Sequence, residues 1–318
     1  MITATQAALT GPETFELRDA DLSPEAGEVV VAIEVCGICS SEIPSFENGP
    51  EIDNAPQFLG HEPSGTIAAV GHGVTEFREG DRVTGAFSGA FATHAVANAE
   101  KLIAVPDNVT LKYALGEPLF CITNIARAAT PQFGDHVAVV GCGAMGLLTI
   151  SALCQPGLST LLAVDQISSR LDVARDFGAT ETTGNAGDPT DQVMDLTRGG
   201  CDVVVELTGH PGGLELATNL LRPGQGKLVM AGFHHSPDIY NLRNFALKGL
   251  IAHQAHPNYS PDQQADYARA MTALSRGVFP MDRLITHEYS LEDIGTGFNA
   301  LRAHEPGFLK GVVVPIGA

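Results

Sequence analysis

Short runs of β-branched and aliphatic residues, broken by glycine and proline, fill the first third of the chain. Residues 28–35 (EVVVAIEV) and 65–70 (GTIAAV) read as strands, and 80–83 (GDRV) and 90–98 (AFATHAVAN) continue the rhythm, so the first 110 or so residues are expected to be mostly β. The pattern then changes. HVAVVGCGAMGLLTISAL (136–153), LLAVDQISSRLDVARDFGA (161–179), CDVVVELTG (201–209) and GKLVMAGF (226–233) alternate a continuous apolar run with a helical or loop segment. Runs that are apolar at every position predict strands buried on both faces, as in a parallel sheet covered by helices. Residues 261–277 (PDQQADYARAMTALSRG) predict a helix, and 311–316 (GVVVPI) predict a closing strand that returns to the first region, since a lone strand buries little. The expected fold class is α/β, with a mostly-β domain beside a doubly wound parallel sheet. A length of 318 residues agrees, because single cores rarely grow that large.

Composition narrows the function classes. A hydrophobic content of 44% with 17% charged residues excludes a disordered chain. The formal charge of −19 argues against nucleic acid or anionic membrane as a partner, because phosphate binding needs clustered Lys and Arg. The N-terminal stretch MITATQAALTGPETFELRD lacks the basic and apolar regions of a signal peptide, and no apolar run is long enough to span a bilayer. Six cysteines are too sparse for a disulfide scaffold, which points to a reducing cytoplasm.

The first chemical motif is Gly141-Cys142-Gly143-Ala144-Met145-Gly146, a G-x-G-x-x-G that follows the strand Val137–Val140 and opens an apolar helix. In that context the glycines tighten the turn and let backbone N–H groups, at Ala144 and Met145 among others, approach a pyrophosphate at the helix N-terminus. Asp165, 24 residues after Gly141, ends the next strand. A carboxylate there accepts ribose hydroxyls and repels a 2′-phosphate, so NAD is expected over NADP. Arg170 is placed to contact the adenosine ribose or phosphate, or else is a solvated helix residue.

The second motif is dispersed. VCGICSSE (35–42) holds Cys36 and Cys39, GHEPSG (60–65) holds His61 and Glu62, and GEPL (116–119) holds Glu117. A catalytic zinc needs about three protein ligands and one open position. Cys39, His61 and a carboxylate from Glu62 or Glu117 form a mixed S/N/O set suited to that ion.

These segments in this order resemble the zinc-dependent medium-chain alcohol dehydrogenase family along nearly the whole chain, with the EPL triplet leaning towards its polyol and sorbitol dehydrogenase branch. The resemblance implies a GroES-like catalytic domain at 1–118, a Rossmann NAD-binding domain at 119–252, and a segment at 253–318 that completes the first domain. It makes Cys39 and His61 zinc ligands, excludes Cys36, puts the third ligand at Glu117, and carries Glu62 as a carboxylate that also binds the metal. Residues 84–100 contain no cysteine, so the second, structural zinc of long family members is expected to be absent, leaving one catalytic site per chain. Ser41 matches the hydroxyl that accepts the alcohol proton, whereas Pro44 stands where many members place a relay histidine. Glu42, in place of the usual aspartate, is expected to support a ligand or to cap a turn. Phe46, Phe87, Leu119, Phe120 and His94 fall near the family's substrate cleft, or else pack the core.

The implied activity is interconversion of a small-molecule alcohol, a secondary one of a polyol, sugar or cyclitol, and its carbonyl compound by NAD-dependent hydride transfer, in a homodimer or homotetramer. The alternatives are a biosynthetic zinc-dependent carbonyl reductase and, remotely, a nucleotide-binding protein without catalysis.

Overall fold

A computed structural model describes residues 1–52, 55–184, 187–234 and 242–315. The chain divides into two compact units. Unit 1 joins Met1–Phe120 to Tyr267–Ala318, and unit 2 is the continuous segment Cys121–Asp266. The return to unit 1 thus comes at 266/267, later than the expected 252/253. The reason is that the last strand of the unit 2 sheet, at Ile251–Gln254, is hydrogen-bonded to its neighbour there and holds the following residues in that unit.

Unit 1 begins with strands β1 (Ile2–Gly11), β2 (Thr14–Leu22), β3 (Glu28–Gly37), β4 (Gln57–Phe58), β5 (Glu62–Val70), β6 (Arg82–Gly85), β7 (His94–Asn98) and β8 (Leu102–Ala104). A short helix, α1 (Ile43–Asn48), follows β3, and α2 (Gly116–Ala129) carries the chain into unit 2. Unit 2 contains β9 (His136–Val140), β10 (Thr160–Val164), β11 (Glu181–Thr183), β12 (Val203–Glu206), β13 (Lys227–Met230) and β14 (Ile251–Gln254). Its helices are α3 (Ala144–Leu153), α4 (Ser168–Asp176), α5 (Thr190–Thr197), α6 (Pro211–Leu220) and α7 (Arg243–Lys248). The chain returns through α8 (Gln263–Ser275) and closes with α9 (Met281–Leu284), β15 (Ile285–Tyr289), α10 (Ile294–Arg302) and β16 (Lys310–Val313).

In unit 2 the strand order is β11-β10-β9-β12-β13-β14, every pairing parallel. The continuous apolar runs are the cause: β9, β10 and β12 are buried along almost their whole length, so both faces need cover. The order reverses between β10 and β12 on either side of β9, which creates a crevice at the carboxyl ends of these strands.

Unit 1 holds a seven-stranded sheet in the order β15-β16-β3-β5-β6-β8, with β7 also paired to β3. The closing strand does return to the first region: Val312 and Val313 pair with Gly37 and Cys36 (Ile316, the end of the expected strand, lies outside the described residues). The core beneath is aromatic. Phe46 stacks on Phe298 at 4.8 Å between ring centroids and on Phe15 at 5.9 Å, with Phe91 edge-on to Phe298. Phe46 and Leu119 are fully buried, so for these two the structure favours core packing over a substrate cleft. Among the described residues no helix is long and apolar enough to cross a membrane.

Candidate active site

The ladder between β3 and β5 assembles the site. Antiparallel pairing sets Gly37 opposite Glu62 and Cys36 opposite Pro63, so the GIC turn leaving β3 meets the GHE turn entering β5. On the other side of β3, Val312 pairs with Gly37 and brings Lys310 to the same level. The space Gly37 leaves empty is required, because a Cβ there would stand 1.9 Å from Glu62 Oε2 and 3.0 Å from Lys310 Cε. Gly60 turns the chain just before His61 with φ +92°, a left-handed conformation that L side chains rarely adopt.

One sulfur, one imidazole nitrogen and one carboxylate oxygen, from Cys39, His61 and Glu62, lie within 4.8 Å of one another. Tetrahedral zinc with ordinary Zn–S and Zn–N lengths would hold its ligand atoms about 3.3–3.7 Å apart, so the cluster needs only slight contraction. Glu42, buried at the start of α1, orients the ring. Its Oε1 accepts from the Gly60 N–H at 2.7 Å and lies 3.0 Å from His61 Nδ1. This carboxylate–histidine contact fixes the ring and raises its basicity as a ligand. Burial opposes the charged imidazolium, but hydrogen bonds to Cys39 and Glu42 and their negative charges outweigh it and raise the His61 pKa to about 12. The site is strongly cation-seeking, and a metal would take the place of that proton.

Ser41 Oγ donates to Cys39 Sγ at 3.2 Å, which holds the hydroxyl beside the sulfur of the donor cluster. Cys36 lies inside β3, fully buried, with Sγ 3.8 Å from its neighbour's carbonyl, and burial pushes its thiol well above the ordinary cysteine range. It is outside the donor cluster. Glu117 is also outside it, on the first turn of α2. Buried Thr84 links that turn to the site: its Oγ1 accepts from Gly116 N–H and donates to the Pro63 carbonyl, both at 2.8 Å.

Sequence reading missed Lys310. This buried lysine stands 2.5 Å from Glu62 Oε2 and donates to the Ile38 carbonyl at 3.0 Å. Burial disfavours its charge, yet Glu62 first, then Cys39 and Glu117, raise its pKa above the ordinary lysine value. The lysine neutralises part of a site crowded with anions. Its ammonium contacts the same buried Glu62 carboxylate that belongs to the donor cluster. The available signal was a lone charge inside the run FLKGVVV, which a strand tolerates only beside a partner.

In unit 2 the three glycines of the 141–146 turn play three parts. Gly141 has φ +97° and makes the turn. A Cβ on Gly143 would meet nothing within 4 Å, so that face is open to a ligand. A Cβ on Gly146 would stand 1.8 Å from the Gly141 carbonyl oxygen, so this glycine lets helix and turn close-pack. Gly143 gives α3 no side-chain cap, which leaves its first N–H groups, from Ala144 onward, for an anion. Asp165 follows β10, with Oδ2 accepting from Cys142 N–H at 2.7 Å and Oδ1 from Ile167 N–H at 2.8 Å. Arg170 Nη1 is 4.0 Å from Asp165 Oδ2. The cradle fits a dinucleotide's pyrophosphate and ribose. Gly143→Ala is expected to fold normally and weaken NADH binding at least about tenfold, whereas Gly146→Ala should lower the melting temperature sharply. Calorimetric titration and a melting curve of each variant check this. Unchanged affinity in Gly143→Ala would remove the turn from the site.

Comparison with known proteins agrees with both halves. A family model described as "Alcohol dehydrogenase GroES-like domain" matches residues 25–107, and one described as "Zinc-binding dehydrogenase" matches 144–276. The (R,R)-butanediol dehydrogenase of Bacillus subtilis is 27% identical over 320 residues, covering 87% of this chain and 90% of that protein. The D-xylulose reductase of Scheffersomyces stipitis is 28% identical over 337 residues, covering 91% and 92%. Among solved structures, an Escherichia coli oxidoreductase/dehydrogenase of unknown specificity superposes with a TM-score of 0.90 at 25% identity, covering 99% of this chain and all of the other. With both domain models in register, the donor cluster at the β3–β5 turn and the glycine cradle after β9, the chain belongs to the zinc-type medium-chain dehydrogenases.

Proposed function

We propose that this chain oxidises a secondary alcohol of a polyol, sugar or cyclitol to the ketone, reversibly, with NAD as hydride acceptor. The observation that carries the reading is the Cys39–His61–Glu62 donor cluster with a serine hydroxyl hydrogen-bonded to its sulfur. Cys39 and His61 would hold zinc together with Glu117 or Glu62, whose distance from Cys39 and His61 already suits a ligand. When bound, zinc supplies Lewis acidity towards the alcohol oxygen, and NAD supplies the hydride acceptor. Everything else falls to the chain. Glu42 holds His61 in its ligating orientation, Lys310 balances the carboxylates, and Ser41 Oγ takes the alcohol proton. Pro44 offers no titratable group, so no side chain at that position carries the proton onward and Ser41 Oγ would release it to water. Asp165 binds the adenosine ribose and repels a 2′-phosphate. One relative is named for butanediol and another for D-xylulose, which supports the substrate class.

The enzyme is a cytoplasmic homo-oligomer in this reading. All four residues of β14, the outer strand of the unit 2 sheet, are exposed, and Ile251 with nearby Leu247 presents apolar surface there. An open strand edge of this kind is a template for pairing with a second copy of the chain, which supports the oligomer.

The test is zinc content together with NADH formation over a panel of polyols, for wild type and Ser41→Ala. Wild type should turn over at least one polyol and bind NADH at least about tenfold more tightly than NADPH. Ser41→Ala should lower kcat at least about tenfold with unchanged NADH affinity, because positioned proton transfer is worth that much or more. A zinc-free protein, or full turnover in Ser41→Ala, would defeat the respective part.

A further inference from the structure

Glu206 is the last residue of β12 and is fully buried, yet nothing in the chemistry above uses it. It lies in register with Val140, the residue before the glycine turn, and with Met230 at the end of β13. Its carboxylate is heavily engaged. Oε1 accepts from Thr208 N–H at 2.6 Å, Thr208 Oγ1 at 2.5 Å and Gly209 N–H at 3.1 Å, and Oε2 lies 3.3 Å from His234 Nε2. Its backbone carbonyl accepts from Ala231 and Gly232 N–H at 2.9 and 2.8 Å. One residue therefore ties down the loop after β12 (207–210) and the loop after β13 (231–234).

The loops meet closely at this point. A Cβ on Gly232 would stand 2.4 Å from Gly209 N and 2.8 Å from Glu206 Oε2, and one on Gly209 would stand 2.4 Å from the Phe233 carbonyl oxygen. The first loop also abuts the cofactor turn, since a Cβ on Gly141 would touch Thr208 Cγ2 at 3.0 Å. Asp165 lies on the β10 side of that turn, and the pyrophosphate cradle is at α3. The other half of a dinucleotide must then cross the switch point towards β12 and β13, over the two loops that Glu206 gathers.

We propose that Glu206 is a positioning residue for the nicotinamide half of the cofactor: its carboxylate draws the loops after β12 and β13 into one wall and so sets where the hydride-accepting ring can lie. The inference rests on the NAD reading above. A carboxylate suits the task because three donors converge on one oxygen, and a full negative charge strengthens each of those bonds. An amide would keep the shape while weakening the clamp.

The experiment compares NADH with ADP-ribose, which has the adenosine and pyrophosphate but no nicotinamide, in calorimetric titrations of wild type and Glu206→Gln. Glu206→Gln is expected to weaken NADH at least about tenfold and to leave ADP-ribose within about twofold, since the lost charge-assisted bonds are made to the loops after β12 and β13 and none is made to the pyrophosphate turn itself. The fluorescence enhancement of bound NADH should fall with it. A merely structural staple would weaken both ligands together or neither, and either result overturns the proposal. If Glu206→Gln does not fold, Thr208→Val removes one donor to Oε1 and keeps the backbone. It should shift the NADH to ADP-ribose ratio in the same direction by about threefold, and an unchanged ratio overturns the proposal. Wild type that binds neither ligand overturns the NAD reading and this inference with it, whereas proportional losses on a wild type that binds both overturn this inference alone.

Discussion

Cys39→Ala is expected to yield a folded protein without zinc and without measurable alcohol oxidation, a loss of at least about 10³-fold in kcat, or roughly 4 kcal/mol of barrier. The sulfur is the only soft donor in the cluster, and the remaining imidazole and carboxylate make a much weaker site for a borderline-soft ion. Cys36→Ala is the paired result. That side chain is sealed inside β3, so its loss should cost about 1 kcal/mol of stability and leave one zinc per chain. Metal analysis of the two variants separates them. Zinc lost from Cys36→Ala, or kept by Cys39→Ala, would show that the ligand sulfur has been misassigned, although the two cysteines are only three residues apart.

Lys310→Met should have the next largest effect, on stability. Removing one partner of a buried ion pair leaves the other charge uncompensated, at a typical cost of about 3–5 kcal/mol. Here Glu62 would remain buried beside Cys39, and the cation left in the cluster, the His61 imidazolium, is already paired with Glu42 and Cys39. For a unit of this size each kcal/mol moves the melting temperature by about 2–4 °C, so a fall of roughly 10 °C is expected in metal-free protein. Zinc should restore much of it by supplying another positive charge. Adding Glu62→Gln should also restore it, because the stranded charge disappears. A melting temperature within about 2 °C of wild type in the metal-free single variant would mean that the pair contributes little, as exposed pairs do.

The different fates of these residues show where sequence carries structural information. The unit 2 sheet was legible because burial on both faces forces uninterrupted apolar runs such as Val203–Val205, a local property. Cys39, His61 and Glu62 were legible because each sits in a glycine-flanked turn whose backbone constraints are also local. Lys310 and Glu206 were not. Each is a single charge on an apolar strand whose meaning depends on a partner distant in sequence or on loops folded around it. The division into compact units falls after residue 266, past the expected 252, for a related reason. The last sheet strand has no apolar signature, since β14 is an exposed edge, and only its hydrogen bonds to β13 keep it in unit 2. Glu42 was open between two roles, and its 3.0 Å contact with His61 is the partner that the sequence did not show.

The pairing of β16 with β3 has a consequence in time. Cys39 and Glu62 leave the ribosome before residues 121–266 are made, and Lys310 and the strand that carries it follow that segment. The continuous segment 121–266 can fold as soon as it emerges, while the first 120 residues wait with an open edge on β3 and an unpaired buried carboxylate. At about 5–20 residues per second, the interval between completion of residue 266 and arrival of β16 lasts several seconds. During that interval the nascent chain presents a sheet edge with three anionic or thiol groups beside it. Other strand edges are the hazard it must survive, and the pairing of β16 with β3 removes it.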